Sequence, residues 1–448
     1  MTASPGPDDA RPSPWRWWVC GLLFLATTLN YMDRVALNQL ALRIQLAFGL
    51  DNRDYSRLET GFVLAFGVGT LFFGWLVDRV SVRWVYPLAV FGWSAAGFLT
   101  GFAPGYWTLF ACRIGLGLCE AGNWPCGIRT TRQVMAPAER SLGNSLFQSG
   151  TAIGAVVTPF IVLACVTWAD PGEAERNAHL AVGGGAAVSA TGVPPDAWQV
   201  PFRAIGFIGI IWVALWVVTV PNSMLRHTPT STSQTAPPFT AVFRDRRFWV
   251  LVVVICGVNT WWHTYRVWLP LFLQTQRGYT EAEMSYFTMG YYLFADVGSW
   301  AIGFATLWLT WRGFTNHRAR VRAFAACTAL VPLSFAVPWL DGWAMSVAVY
   351  AIGFGALGLF PTYFALSQEL SAAHQGKVTG TLGFLNSLWM GGVYAVQGWA
   401  IDAAGKDYQP VLALAGLPAV AALGALLVWW REPAAPVTPA AAVTPSAG

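Results

Sequence analysis

Apolar stretches of about twenty residues recur along almost the whole of this 448-residue chain, divided by short polar breaks. A stretch of that length crosses the hydrocarbon core of a bilayer as one helix, because each residue advances a helix by about 1.5 Å. Taken between polar breaks, the apolar runs fall at 16–46, 56–78, 84–103, 106–134, 141–168, 201–224, 248–276, 283–311, 320–339, 343–369, 376–402 and 409–430. The ten-residue alternation of an outer-membrane barrel is absent. Only 11% of residues are charged and 55% are hydrophobic, whereas a soluble domain carries about 25% charged residues. The expectation is an all-α polytopic membrane protein with twelve transmembrane helices in two six-helix bundles.

The breaks set the domain organisation. A polar, Pro-rich N-terminal tail (1–14) leads directly into the first span, with no small-residue cleavage pattern of a signal peptide. The first bundle covers 15–225. A Thr/Ser/Pro-bearing stretch, 226–247, ends in Arg244-Asp245-Arg246-Arg247 and reads as a cytoplasmic linker. The second bundle covers 248–431, and a Pro/Ala/Thr-rich tail (432–448) reads as disordered. The Gly/Ala/Pro-rich insertion 169–199 reads as a loop. Basic residues crowd the loops on the side of the two termini, as in Arg129/Arg132/Arg140 and Arg312/Arg318/Arg320/Arg322. The other side holds Arg43, Arg53, Arg57, Arg176, Arg203, Arg277 and Lys406. By the positive-inside rule both termini are expected in the cytoplasm. The seven cysteines sit singly within apolar runs, as small buried hydrophobes do.

The halves echo each other. Gly69-Thr-Leu-Phe-Phe-Gly74 in span two matches Gly298-Ser-Trp-Ala-Ile-Gly303 in span eight, and the same offset sets His263 opposite Arg34. Arg140-Ser-Leu-Gly143 likewise recurs as Lys377-Val-Thr-Gly380. Parallel repeats of six spans are the build of two-bundle transporters, whose substrate site lies near mid-membrane between the repeats.

Charges inside the spans carry the chemistry. Span one holds Asn30-Tyr31-Met32-Asp33-Arg34. A charge at the centre of a membrane helix costs about 2.5–3.5 kcal/mol on insertion scales, so such residues face cavities or partners and mark ion and substrate paths. Thr27, Asn30, Tyr31, Arg34 and Asn38 form one polar stripe, with Asp33 at its edge. Span four holds Arg113 and Glu120 two turns apart on one face, with Pro125 expected to kink the helix. The Arg113 guanidinium suits a carboxylate, since its planar fork donates two parallel hydrogen bonds, and a desolvated Glu120 can carry a proton. Either pair could instead brace neighbouring helices. In span seven His263 and Arg266 share a face, either as a second cationic contact that indicates a more anionic substrate or in a pairing with Asp296. Gln148 and Asn386 occupy nearly equivalent repeat positions, suited to sugar hydroxyls or to interhelix hydrogen bonds. At the end of span two, Gly74-Trp-Leu-Val-Asp78-Arg79-Val-Ser-Val-Arg83 permits close helix approach at Gly74 and an ion-pair latch of Asp78 with Arg79 and Arg83.

That loop resembles the signature of the major facilitator superfamily, with Ser81 and Val82 in place of its second glycine and first basic residue. Together with Leu29–Arg34 and the Arg113…Glu120-Ala-Gly…Pro125 helix, it resembles the anion:cation symporter family. That family includes bacterial hexuronate and galactonate transporters and sialin-like animal carriers. Trp268-Leu-Pro270, Ala295-Asp296-Val-Gly298 and Asn316-His-Arg-Ala-Arg320 look closest to hexuronate transporters. The resemblance implies the major facilitator fold, proton coupling at Asp33 and Glu120, and a substrate carboxylate on Arg113 with Arg34 nearby. It implies proton-coupled symport of an organic anion such as a sugar acid, by a monomer in the inner membrane of a bacterium. His263 and Arg266 depart from it, where aromatic and apolar residues are expected for a hexuronate carrier. Other anions (dicarboxylates, aromatic acids, organophosphates), anion exchange and, behind these, a membrane-embedded enzyme or a transporter-like sensor are the alternatives. The scattered histidines and the lack of a P-loop argue against an enzyme, a metal cofactor or an ATP-driven pump. Nothing points to nucleic acid; the partners expected are the anion, protons and the bilayer.

Overall fold

The structure, a computed structural model, describes residues 14–77, 79–135, 140–170, 197–221, 225, 239–370 and 375–430. The N-terminal tail to residue 13, Asp78, most of the 169–199 insertion, the linker to residue 238 and the C-terminal tail lie outside the described residues. Every described regular element is helical. In chain order the first half comprises α1 (Pro14–Gln39, extended by Ala41–Phe48), α2 (Asn52–Val77) and α3 (Val82–Thr100), then α4 (Tyr106–Glu120 and Asn123–Val134), α5 (Arg140–Ala169) and α6 (Gln199–Thr219). The second half comprises α7 (Arg246–Thr275), α8 (Glu281–Trp311), α9 (Asn316–Thr328, continued to Trp339), α10 (Gly342–Gly358 and Phe360–Leu370), α11 (Gln375–Ala403) and α12 (Gln409–Leu414 and Leu417–Trp429). Of these, α2, α5 to α10 and α12 each hold a window long and apolar enough to cross a membrane. The charges within α1 and α4 join Glu59 of α2 and Arg266 of α7 in the site.

Local chemistry sets the helix ends. Thr280 and Glu283 form a capping box at the start of α8, and Asp245 caps α7 by accepting from the Arg247 N–H at 2.8 Å. The break in α4 falls at Ala121–Gly122, one turn before Pro125. A proline ring collides with the carbonyl four residues earlier, here that of Ala121, so the kink appears upstream of the proline that causes it.

Within the first half α1 packs on α5, α3 on α6 and α2 on α4; within the second, α8 packs on α10 and α7 on α12. The α2–α4 contact is close because two glycines serve it reciprocally. A Cβ on Gly117 would strike the Phe62 backbone, and one on Gly69 would strike the Leu118 carbonyl. This proximity brings the acid of α2 within reach of the arginine of α4.

The halves meet through α2 against α11 and α5 against α8. Polar contacts between them gather at the end where α1 finishes and α2 begins. Arg43 donates from Nε and Nη2 to Glu281 Oε2, both at 2.7 Å. Asn52 Nδ2 and the Arg53 N–H donate to the two oxygens of Asp402 at 2.8 Å each, and Tyr408 donates to Asn52 Oδ1 at 2.7 Å. Gln39 donates to Thr288 at 3.0 Å, and Thr60 to the Gly391 carbonyl at 3.3 Å. These bonds seal one end of the interface between the bundles.

Candidate functional site

Asp33 and Arg34, adjacent in sequence, turn to different neighbours. Arg34 Nε donates to Glu120 Oε2 at 2.5 Å, and its guanidinium lies over the Phe66 ring at 4.5 Å and the Tyr31 ring at 5.7 Å. Glu120 is fully buried at the last position before the α4 break. The break frees the Glu120 carbonyl, which accepts from Asn30 Nδ2 at 3.4 Å. Asp33 is buried against Gly97 of α3 and forms no ion pair among the described residues.

Arg113 does not turn to Glu120, its neighbour on the helix. Its Nη2 lies 3.6 Å from Oε1 of Glu59, a fully buried acid on α2. Asn38 Nδ2 donates to the same oxygen at 2.9 Å, and Arg266 Nη2 of α7 lies 3.5 Å from Oε2. One carboxylate therefore stands between an arginine from each half. Of the two readings of Arg266, the ion pair with Asp296 does not form: Arg266 turns inward to Glu59, while half-buried Asp296 bonds Trp300 on its own helix. Arg266 also donates to His263 Nδ1 at 3.0 Å and to Tyr394 Oη at 3.3 Å. Because a guanidinium only donates, His263 Nδ1 accepts and its ring proton resides on Nε2. Around this core Trp262 stacks on Tyr291 at 5.4 Å, and Arg113 lies over Phe62 at 4.5 Å. Three guanidiniums, three buried carboxyl groups and aromatic faces thus meet where the two halves join.

Residues 23–394 match the Major Facilitator Superfamily. The chain belongs to that superfamily. Among curated proteins it is similar to the D-galactonate transporter of Escherichia coli O6:H1, 24% identical over 94% of this chain and 96% of that protein. It is also similar to a probable L-galactonate transporter of Escherichia coli strain K12, 26% identical over 69% of this chain and 67% of that one. Among solved structures it resembles a bacterial homologue of the human lysosomal transporter Spinster in an inward-facing, unoccupied conformation. The TM-score is 0.69, with 18% identity, over 93% of this chain and 95% of that one.

In this major facilitator protein the Gly74–Arg83 loop makes contacts that differ from those its sequence suggests. A Cβ on Gly74 would meet nothing within 4 Å, so the close helix approach expected there is not made. Arg79 lies over the Trp75 ring at 4.3 Å. Arg83 is buried and donates to the Val217 carbonyl of α6 at 2.9 Å, while its own carbonyl accepts from Trp216 at 3.0 Å. The arginine thus ties α3 to α6; the Asp78 part of the expected latch lies outside the described residues.

Gln148 is exposed on α5, and Asn386 is half-buried on α11 with its Oδ1 free of hydrogen bonds among the described residues. Neither joins the ion-pair cluster. Glu59 is the residue that reading the sequence missed. It follows Arg53, Asp54 and Arg57 and so looks like part of a charged helix end. The signal was periodicity: Tyr55, Glu59, Phe62 and Phe66 share one face, and the first three are buried while Arg53 and Arg57 are exposed.

Proposed function

We propose that this protein is a proton-coupled symporter of an organic anion, a sugar acid such as a hexuronate or hexonate, working by alternating access. The observation that carries the reading is the convergence of Arg34, Arg113 and Arg266 on buried carboxylates at the junction of the halves. Burying several charges is costly unless each is paired, and residues retained there at such cost mark a substrate or ion path. An arginine fork takes a substrate carboxylate, and aromatic faces such as Trp262 and Tyr291 suit the apolar face of a sugar. Sugar-acid transporters among the relatives support the same substrate class.

In this reading Asp33, buried with no ion pair among the described residues, carries the proton, and Glu120 links proton and substrate through Arg34. Binding of each then favours the other, as coupling requires. With both termini in the cytoplasm of a bacterial cell, the sealed end faces outward, and the site delivers its cargo inward. Residues 15–225 and 248–431 act as the two rocking bundles of a monomer, and Asp78, Arg79 and Arg83 form part of the gating loop.

Purified protein in proteoliposomes tests this. Galactonate or glucuronate should accumulate when an inward proton gradient is imposed, and a protonophore should abolish accumulation. Uptake indifferent to the gradient would remove the proton from the mechanism.

A further inference from the structure

Glu59 has no part in the proton or substrate steps proposed above, yet its carboxylate is fully buried between the halves. Its position is over-determined. It enters on α2 and takes a hydrogen bond from Asn38 of α1, with Arg113 of α4 on one oxygen and Arg266 of α7 near the other. Neither arginine is saturated by it. Both contacts, at 3.6 and 3.5 Å, are longer than hydrogen bonds, and Arg113 Nε and Nη2 carry none among the described residues.

We infer that Glu59 is the charge-selecting residue of the site: a built-in counter-anion that cancels one of two facing arginines and so leaves room for a single negative charge. This rests on the anion-symport reading. Arg34 is neutralised by Glu120 at 2.5 Å. Arg113 and Arg266 share one carboxylate, which leaves a surplus of one positive charge. His263 adds none, since its Nδ1 accepts from Arg266. Among the described residues the remaining charged group of the cluster is Asp33, which feels the charges of Glu120, Arg113 and Arg34. Ionised, it brings the cluster to neutrality; protonated, it restores the single positive charge. A monoanion therefore finds a complementary site only when the proton is aboard. A dianion would sit in the same site with one negative charge uncompensated in a medium of low dielectric, where unpaired charge is most costly.

Glu59 thereby acts on specificity through the two arginines, as a positioning and charge-setting residue. Its removal should turn a monoanion site into a dianion site. Galactonate and galactarate make a suitable pair of probes, because they share a carbon skeleton and differ by one carboxylate. In titration calorimetry on the full chain in detergent, the wild type should bind galactonate more tightly than galactarate. Glu59→Gln should shift the ratio of the two affinities towards galactarate by at least tenfold. A second arm holds if that variant is not recovered folded. Arg266→Gln should lose galactonate affinity, and adding Glu59→Gln to it, which restores the surplus of one charge, should recover at least a tenth of the wild-type value. An unchanged ratio in Glu59→Gln, a wild type that prefers galactarate, or a double variant no better than Arg266→Gln would each overturn the inference. A wild type that binds neither sugar acid would instead overturn the transport reading beneath it.

Discussion

Glu59 Oε2 stands 3.5 Å from Arg266 Nη2, across the boundary between the two six-helix halves. This contact lies deeper than the polar bonds that seal the interface at Arg43, Asn52 and Asp402. In the alternating-access mechanism proposed above, the site is part of the surface along which the bundles separate. Anything that changes its charge also changes how firmly the halves adhere, which is the physical link between occupancy and conformation.

Glu120→Gln keeps a hydrogen-bond acceptor for Arg34 but removes the charge that neutralises it. Accumulation against a gradient should fall to background, while exchange of labelled for unlabelled substrate across the membrane should persist. Counterflow and gradient-driven uptake, measured side by side, separate the two. Wild-type accumulation in the variant would take Glu120 out of proton coupling.

Arg113→Lys replaces a planar fork lying over Phe62 with a point charge. Substrate affinity should drop by roughly tenfold, which corresponds to about 1.4 kcal/mol. Binding titrations on the purified variant read this directly, and an unchanged dissociation constant would place the carboxylate elsewhere.

Arg43→Ala should loosen the sealed end. The charged hydrogen bonds to Glu281 that it removes are worth about 1.5–3 kcal/mol, enough to raise the population open at that end by tenfold or more. A cysteine introduced as Thr288→Cys, beside Gln39, should then react faster with a membrane-impermeant maleimide. Equal labelling rates with and without Arg43 would show that other contacts hold the gate.

Asp245 lies outside the spans, at the N-terminus of α7. Burial alone would push its carboxyl up, but the Arg247 side chain, the Arg247 N–H and the Arg247 charge together hold it below the usual carboxylate range. A carboxyl depressed on folding contributes stability above its unfolded value, about 3.9, and loses that contribution as pH falls through the lower folded value. Thermal unfolding of the wild type should weaken across that acid window. Asp245→Asn, which keeps the cap without the titrating charge, should flatten the trend, and parallel curves for the two proteins would contradict it.

The order of spans was legible because each buries its backbone polar groups internally, and so must be written as a separate apolar run of helical length. Hence the spans at 141–168 and 248–276 could be placed within a few residues of the helices Arg140–Ala169 and Arg246–Thr275 before any tertiary contact was known. Asp33, Arg34, Arg113 and Glu120 were legible for the same reason: charge is conspicuous where the solvent is oil. Their partners were not. Arg113 and Glu120 share a helical face, yet one pairs with α2 and the other with α1. Arg266 had a candidate acid one helix away in Asp296 and turned to Glu59 instead.

The sequence by itself therefore determined the membrane class, the number of spans and the intramembrane charges, all of which follow from hydropathy and helical period. Tertiary structure alone decided which charges meet, because pairing depends on how closely helices approach, and that depends on contacts such as Gly69 and Gly117 between α2 and α4. It also drew Glu59, which looked like one more polar residue near a helix end, into the junction between the halves. Only packing against α1, α4 and α7 sets its carboxylate there.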